Sequence, residues 1–522
     1  MKNILFIVSA LFVACNSSQK TVGEQTSVAQ TEVIADPQAF AVTITEKELK
    51  EHLYIYASNE FEGRETGKPG QKKAVDYLKT NYEAMEIPPA KEDGSYLQKV
   101  PLEFPKVPMG SIMAGETEYE LGTDFLTFAP SAGNFDEIIY VGYGIEDKGY
   151  SDYQGLDVSG KLILIKSGEP VNEDGTYVIS GSSKQSVWSS RSDAPGARLQ
   201  LARSKGAKGV LYYDPDNYDR YKKYFDYLKE SDKSKLEIKV EEENAALVLL
   251  SDNMIKNIFP AIKETQTSGS IPQSMSLRIK SNNEPVSSEN VVAVIRGFEK
   301  PDEFVVISSH LDHIGINKNG DINNGADDDG SGTVAMLEIA EAFKQAADTG
   351  NRPKRSIVFL HVTGEEKGLL GSKYYTDNDP IFPLSQTVAN LNIDMIGRID
   401  PKHEGNRNYV YLIGSDKLSA ELHELSEEIN SKYSQLELDY TYNDENDPNR
   451  FYYRSDHYNF VKNNIPIIFY FSGTHEDYHR PGDTPDKINY DLLEDRARLI
   501  FHTAWEIANR DGRIKADIIP SK

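Results

Sequence analysis

The chain has 522 residues, which is too long for a single hydrophobic core, so at least two structured domains are expected. Its formal net charge of −25 is unfavourable for contact with phosphates and argues against a nucleic-acid partner. Cys15 is the only cysteine, which excludes an intramolecular disulfide framework.

The N-terminus has the features of an export signal. Lys2 gives a positive start, residues 4–13 form an apolar run too short to span a membrane, and Phe12-Val13-Ala14-Cys15 ends in a small residue followed by cysteine. This pattern resembles a bacterial lipoprotein signal, in which residues 1–14 are removed and Cys15 is lipidated. It implies a protein of the bacterial cell envelope, lipid-anchored on the periplasmic or surface side. A plain secretory signal cut elsewhere is the alternative.

Residues 15–42 lack periodicity and hold few large apolar residues, so they are expected to form a flexible tether. Residues 43–117 should form the first part of the main domain. Thr43 or Thr45 can cap a helix that carries Glu46 and Glu48 in its first turn. A second helix is predicted from residue 71 to about residue 85, after the turn at residues 63–70.

Residues 118–283 contain short β-branched runs that alternate with turns rich in Gly and Asp. The stretches at residues 140–144, 153–160 and 202–211 resemble the protease-associated domain, a small β-rich module that is often inserted into exopeptidases. No metal-binding or nucleophilic cluster is found in this segment. The resemblance implies an inserted domain without a catalytic centre of its own.

Residues 284–513 show strand-length apolar runs at 290–297, 303–309, 355–360 and 465–470. Helical patterns lie between them, at about residues 332–347 and 419–433. Strands that are apolar on both faces and alternate with helices indicate an α/β fold, with a mostly parallel mixed sheet flanked by helices. Residues 514–522 are expected to be a tail.

Five side chains of metal-binding type occur at the ends of these patterns: His310, Asp328, Glu366, Asp394 and His479. Each alone is weak evidence, but the set is specific. Two metal ions about 3.5–4 Å apart need one bridging carboxylate, and each ion needs one imidazole and one further carboxylate. The five residues supply this inventory. A calcium-binding EF-hand loop from Asp321 fails, because Gly332 stands where the closing glutamate belongs.

Five motifs carry these residues, at positions 310–312, 325–332, 364–366, 392–394 and 478–484. In this order they resemble the di-zinc exopeptidase family that contains bacterial leucyl aminopeptidases and the glutamate carboxypeptidase and transferrin-receptor branch. The resemblance covers about residues 43–107 and 289–513. It implies two zinc ions per chain, with His310 and Asp394 on one ion and Glu366 and His479 on the other. Asp328, the middle residue of an Asp triplet, would be the bridge.

The resemblance also assigns roles around the metal ligands. Asp312 matches the carboxylate that orients the His310 imidazole. Glu365 matches the general base, acting on a hydroxide between the zinc ions. In the segment that precedes Ser455-Asp456-His457, Tyr452 or Tyr453 is a candidate oxyanion donor and Arg454 a candidate substrate contact. His457 is interpreted as structural, since the ligand inventory is complete without it.

The expected function is hydrolysis of N-terminal residues from peptides by a metallo-exopeptidase. A carboxypeptidase of the glutamate carboxypeptidase type is the main alternative. An arginine cluster for a terminal carboxylate would favour it, but Arg398, Arg450, Arg454 and Arg480 are scattered in the sequence. A glutaminyl cyclase and a non-catalytic receptor-like protein on the same scaffold are further alternatives, and the complete ligand set argues against the latter. The sequence does not define side-chain specificity or the oligomeric state.

Overall fold

A computed structural model describes residues 36–231, 234–239, 245–265 and 267–518. Cys15, the signal peptide at residues 1–14 and most of the expected tether lie outside this part of the chain, so the interpretations of those residues stay predictions. In the part that is described, no helix is both long enough and apolar enough to cross a membrane.

The main sheet of the described chain has nine strands and a parallel centre. In spatial order the strands are Glu237–Ile238, Leu97–Phe104, Glu284–Ile295, Arg355–Val362, Lys300–His310, Thr387–Ile393, Ile467–Phe471, Tyr409–Ile413 and Glu437–Asp439. The four strands from Arg355–Val362 to Ile467–Phe471 pair in parallel. Every residue of Thr387–Ile393 is buried, as expected of a strand covered on both faces. The predicted α/β fold with a mixed sheet is confirmed.

Helices cover both faces of this sheet. The longer ones are Glu46–Tyr56, Pro69–Ala84, Gly332–Asp348, Ala420–Ile429 and Tyr490–Asn509, and shorter ones include Leu370–Lys373 and His457–Val461. On one face, Phe343 lies 6.4 Å from Phe359 of a central strand and 4.8 Å from Phe501, measured between ring centroids. On the other face, Val358 and Phe460 belong to one core cluster. Since alternate residues of a strand point to opposite faces, Val358 and Phe359 anchor the two helical layers.

The ordered structure begins earlier than the boundary expected at residue 43. Gln38–Ala41 forms a short helix in which Phe40 and Ala41 are buried, and the ring of Phe40 lies 5.6 Å from that of Trp505. The expected tether is therefore corrected at its C-terminal end, because two apolar residues docked on a distant helix give no periodic signal. The next helix begins after Thr45, whose side chain accepts a hydrogen bond from the Glu48 backbone, as predicted.

The β-rich segment forms two larger sheets apart from the main one. The six-stranded sheet contains, in spatial order, Gly269–Ile271, Ile138–Tyr140, Leu162–Lys166, Gly209–Tyr213, Leu247–Leu250 and Phe125–Leu126. The four-stranded sheet contains Thr117–Glu120, Met109–Ala114, Met275–Lys280 and Ser131–Phe135. Ile112 and Leu277 of the smaller sheet share a core with Leu164 of the larger. Because Met109–Ala114 belongs here, the segment starts before the predicted boundary at residue 118. Its identity as a protease-associated domain stays a prediction.

The two ends of this segment lie next to each other at the main sheet, and within the segment Glu237–Ile238 pairs with Leu97–Phe104. Leu97–Phe104 and Glu284–Ile295 are antiparallel, with Phe104 opposite Glu284. The Lys106 backbone N–H donates to the Asn283 side-chain oxygen at 3.0 Å. The β-rich segment is therefore a long insertion between two paired antiparallel strands.

Candidate metal centre

The predicted ligands lie together at one edge of the main sheet. His310 ends a parallel strand, and the other ligands lie in loops that follow the parallel strands or precede the helix Gly332–Asp348. The C-terminal ends of parallel strands are where α/β sheets present their functional side chains. This strand end and these loops together supply the five predicted ligands: His310, Asp328, Glu366, Asp394 and His479.

Asp328 lies between two pairs that each consist of a histidine and a carboxylate. Its Oδ1 is 3.2 Å from His310 Nε2, which is 3.6 Å from Asp394 Oδ1. Its Oδ2 is 3.1 Å from His479 Nε2, which is 3.2 Å from Glu366 Oε2. The structure thus places His310 and Asp394 on one side of Asp328, and His479 and Glu366 on the other.

The cluster has the properties of a cation site. Asp328 Oδ2 and Glu366 Oε1 are buried without a hydrogen-bond partner, which is costly for carboxylates unless a cation compensates them. Burial lowers the pKa of His479, but its contacts with Asp328 and Glu366 raise it to about 10. The centre therefore attracts positive charge strongly. Imidazole nitrogens and carboxylate oxygens in this number suit zinc.

The neighbours of Asp328 hold the backbone of its loop. Asp329 accepts hydrogen bonds from the backbone N–H groups of His310, Gly332 and Met395, at 3.0–3.1 Å. Asp327 accepts from the Gly397 backbone at 2.6 Å. A carboxylate whose lone pairs point at N–H groups is a poorer ligand than one with a free oxygen. Asp328 is the residue of this triplet whose carboxylate faces both His310 and His479.

Asp312 supports Glu365 rather than the His310 ring. The atom that faces His310 Nδ1 is the backbone oxygen of Asp312, at 3.0 Å. The Asp312 carboxylate instead accepts from the Glu365 backbone N–H at 3.1 Å and from the Thr66 hydroxyl at 2.7 Å. The predicted orienting role of Asp312 is therefore corrected: its carbonyl faces the ring, and its carboxylate fixes the loop that carries the candidate base.

The segment at residues 455–457 lies behind the metal ligands. The Ser455 hydroxyl donates to Asp394 Oδ2 at 2.7 Å and accepts from the Asn392 side chain at 2.9 Å. His457 contacts the Tyr452 backbone oxygen at 2.8 Å and stacks on Phe469, and burial lowers its pKa to about 3. His457 therefore takes part in packing, in line with its structural interpretation.

A cavity opens beside the cluster of predicted ligands. Its lining differs in part from the predicted substrate contacts Tyr452, Tyr453 and Arg454. Its lining contains Asp328, Glu365, Asp394, Met395, Phe451, Arg454, Phe469, Phe471, Thr474, Tyr478 and His479. Arg454 lies there as expected, but Tyr452 and Tyr453 are not among the described lining residues. The Tyr452 ring packs against Tyr453 and Tyr458, and Tyr453 points toward Arg450. The two tyrosines pack against each other and against Tyr458, and the direction of their rings is set by the fold, which sequence alone does not resolve.

Tyr478 takes the place expected for those tyrosines. Its ring stacks on His479 at 4.0 Å, and its hydroxyl lies 3.3 Å from a guanidinium nitrogen of Arg454, which donates to it. Burial raises the pKa of Tyr478, and the carboxylates of Asp328 and Glu366 raise it further, so the phenol keeps its proton. The sequence signal was its position directly before a metal ligand.

Sequence reasoning also missed His313 and Arg64. His313 is fully buried, and its Nδ1 lies 2.9 Å from Glu366 Oε1. The Arg64 guanidinium donates to the backbone oxygens of Leu311, Asn324 and Gly325 at 2.6–3.2 Å. His313 could have been noticed as the fourth residue of His-Leu-Asp-His. Arg64 gave no such signal, because its partners are backbone atoms.

Comparison with known proteins links this site to a family. Residues 290–504 match the model of Peptidase family M28, a range that includes the five predicted ligands and Glu365. A probable leucine aminopeptidase 2 of Aspergillus oryzae is 27% identical over 250 residues, which are 42% of this chain and 45% of that protein. A probable glutamate carboxypeptidase of Arabidopsis thaliana is 35% identical over 106 residues, which are 20% of this chain and 14% of that protein. The chain thus spans less than half the length of these curated relatives.

Among solved structures, an aminopeptidase from Aneurinibacillus sp. strain AM-1 is similar to this chain with 18% sequence identity and a TM-score of 0.45. The alignment covers 93% of this chain and 100% of that one.

Proposed function

Because residues 290–504 match the model of peptidase family M28, we propose that the protein is a zinc-dependent exopeptidase and that it acts as an aminopeptidase. The observation that carries the proposal is the buried cluster in which Asp328 lies between two pairs of histidine and carboxylate. A cavity lined by Glu365 adjoins this cluster.

Two zinc ions are the group that the cluster fits. His310 and Asp394 would hold one ion, Glu366 and His479 the other, and Asp328 would contact both. When bound, zinc supplies a water that ionises near neutral pH and a Lewis acid for the scissile carbonyl.

Glu365 would move the proton during hydrolysis. Asp312 fixes its backbone, and its side chain lines the cavity. Burial raises the pKa of Glu365, the charge of His310 lowers it, and the nearby carboxylates of Glu366 and Asp394 raise it. Glu365 would take a proton from the attacking water and return it to the leaving amine. Tyr478, which keeps its phenolic proton, would donate a hydrogen bond to the developing oxyanion.

The charge of the cavity supports recognition of an amino terminus. Asp328, Glu365 and Asp394 line it with carboxylates, and a free α-amino group is positively charged at neutral pH. The apolar side chains of Met395, Phe451, Phe469 and Phe471 also line the cavity. We therefore expect hydrolysis of peptides that begin with an apolar residue.

A carboxypeptidase is the second candidate, and Arg454 is the observation that favours it. Its side chain lies at the cavity and could pair with a terminal carboxylate. A matched set of peptides distinguishes the two activities. N-acetylation should lower kcat/KM by about 10- to 100-fold, as expected for the loss of one charged hydrogen bond, while C-terminal amidation should leave it unchanged. If amidation blocks cleavage and acetylation does not, the enzyme is a carboxypeptidase.

We further propose that the enzyme is exported and attached to a bacterial envelope membrane through lipid on Cys15. The support is the pattern of residues 1–15. Fractionation of cells that express the Cys15→Ala variant tests this: the variant should leave the membrane fraction and appear in the soluble one. An unchanged distribution would show that another feature anchors the protein.

A further inference from the structure

His313 is a buried histidine at the centre that the five-ligand scheme does not use. Its side chain is fully buried, and both ring nitrogens lack a hydrogen-bond partner. Leaving a buried polar atom unpaired costs about 1–3 kcal/mol. A buried imidazole of this kind needs either a hydrogen-bond partner or a metal ion that it can bind.

The backbone of Arg64 and the loop at Gly325 fix the position of the His313 ring. The His313 backbone N–H donates to the Arg64 backbone oxygen at 3.2 Å. Gly325 adopts a φ of +58°, and a Cβ added there would lie 2.6 Å from the His313 ring. Only glycine lets the ring occupy this position, directly beneath the loop that carries Asp328.

The contacts of the His313 ring converge with those of two predicted ligands. Its Nδ1 is 2.9 Å from Glu366 Oε1 and 3.8 Å from Asp328 Oδ2. Both oxygens are among the buried atoms without a hydrogen-bond partner, although they lie this close to a nitrogen. A nitrogen and two carboxylate oxygens that are close but not hydrogen-bonded are expected when all three atoms point at one metal ion.

The spacing agrees with ligands of one tetrahedral ion. Zinc ligands about 2.0–2.1 Å from the ion are separated from one another by about 3.3 Å. The contacts of Glu366 and Asp328 with His313 Nδ1 and His479 Nε2 range from 2.9 to 3.8 Å. The rings of His313 and His479 meet at 69°, with their centroids 5.8 Å apart.

We propose that His313 is a further metal ligand, so that the ion held by Glu366 and His479 is bound by two imidazoles. This inference rests on the proposed zinc function. It makes the two positions chemically unequal, because the position of His310 and Asp394 has one imidazole. The ion at the His313 position should bind more tightly and be removed last by a chelator.

The test measures zinc binding without using activity. Metal-free protein is titrated with zinc against a chromophoric chelator. Wild-type protein should bind two ions, and His313→Gln should weaken one of the two sites by more than about 100-fold, which exceeds the 10- to 100-fold typical of residues behind the ligands. His361→Gln is the matched control, because His361 is a buried histidine whose nitrogens contact Tyr82 and Ser309. This control should bind zinc like the wild type.

A second measurement requires no variant. Anomalous diffraction at the zinc edge from crystals of the zinc-loaded wild type should place an ion about 2.0–2.1 Å from His313 Nδ1. An ion more than about 3 Å from this atom, or zinc affinities of His313→Gln within about 3-fold of wild type, would overturn the inference and leave the proposed function intact. Wild-type protein that binds no zinc would contradict both.

Discussion

Glu365 and Glu366 are adjacent in the chain and have different surroundings. Glu366 contacts His479 and His313, whereas Glu365 lines the cavity and is fixed through its backbone by Asp312. Neighbouring residues of an extended turn point apart, which allows one to bind metal and the other to face substrate.

The first prediction concerns the proton transfer. Glu365→Gln should lower kcat by about 10²–10⁴-fold and leave the zinc content unchanged, because only general base catalysis is lost. Steady-state kinetics together with elemental analysis checks this. Glu476→Gln, an exposed carboxylate in the loop before His479, is the control and should keep wild-type kcat. Loss of zinc from Glu365→Gln would instead identify Glu365 as a ligand.

The second prediction concerns His361, which is neutral in the fold. Burial lowers its pKa to about 3, against an ordinary value of about 6.5. As pH falls below about 6.5, the unfolded chain binds a proton at this site that the folded chain does not, so stability falls toward pH 3. The free energy of unfolding then falls by up to about 1.4 kcal/mol per pH unit.

Urea unfolding of metal-free protein between pH 7.5 and 4.5 measures this effect. His361→Gln should lose less stability over this range than wild type, although its stability at pH 7.5 is lower. His423→Gln, which alters a partly exposed ring, should follow the wild-type slope. If the free energy of unfolding falls with pH equally in wild type and His361→Gln, His361 does not contribute to the pH dependence of stability.

At the residue scale, sequence reasoning brought the five predicted ligands into one cluster because metal-binding chemistry is restricted to a few side-chain types, and their role as ligands stays a prediction. It failed for Tyr478, since 30 tyrosines give little information and the direction of a ring depends on packing. It failed for the role of Asp312, because both the backbone oxygen and the carboxylate can serve as partners and only the fold selects between them.

At the element scale, the turn at residues 63–67 holds the metal centre from a distant part of the chain. Arg64 donates to the carbonyls of Leu311, Asn324 and Gly325, and Thr66 donates to Asp312. Arg64 is fully buried and adopts a φ of +50°. This turn lies outside the matched family range, yet it shapes the loop of Asp328.

The third prediction follows from this turn. Arg64→Met should destabilise the protein by several kcal/mol, because it leaves at least three buried carbonyl groups without donors. It should also weaken zinc binding, since the loop of Asp328 loses its support. Thermal unfolding and zinc titration measure the two effects. Lys68→Met, an exposed change directly after this turn, should resemble wild type in both, and equal behaviour of the two variants would contradict the role of Arg64.

Elements with uniform patterns were predictable, and elements with buried polar residues were not. The strand Thr387–Ile393 contains Asn390 and Asn392, which interrupt its apolar run and whose side-chain N–H groups donate inside the fold to Ser308 and Ser455. The helix Tyr490–Asn509 was missed for the same reason, because Arg496 is buried against backbone carbonyls on its inner face. Buried polar residues such as these interrupt the apolar periodicity by which a strand or helix is predicted from sequence.

At the scale of the whole molecule, the β-rich segment connects the paired strands Leu97–Phe104 and Glu284–Ile295, and its strand Glu237–Ile238 also pairs with Leu97–Phe104. The fourth prediction is that replacing residues 105–283 with Asn-Gly gives a folded protein that binds two zinc ions, because Phe104 and Glu284 are already opposite each other and this turn closes hairpins. Loss of Glu237–Ile238 exposes the edge strand, so lower solubility is expected.

Zinc content and thermal unfolding of the soluble fraction check this prediction. Replacing residues 216–217 with Asn-Gly, within the β-rich segment, is a control for the added turn. A shortened protein that lacks both zinc and cooperative unfolding would show that the main domain depends on the segment.

The strand pair at Phe104 and Glu284 also has a kinetic consequence. A chain made at about 5–20 residues per second produces the second strand on the order of ten seconds after the first. The two sheets of the β-rich segment contain only strands from that segment, so they can form while Leu97–Phe104 still lacks its inner partner. The main sheet, by contrast, can close only after its last strands have been made. We therefore expect the inserted segment to fold first and to hold the two arms of the hairpin near each other, which shortens the search for their pairing.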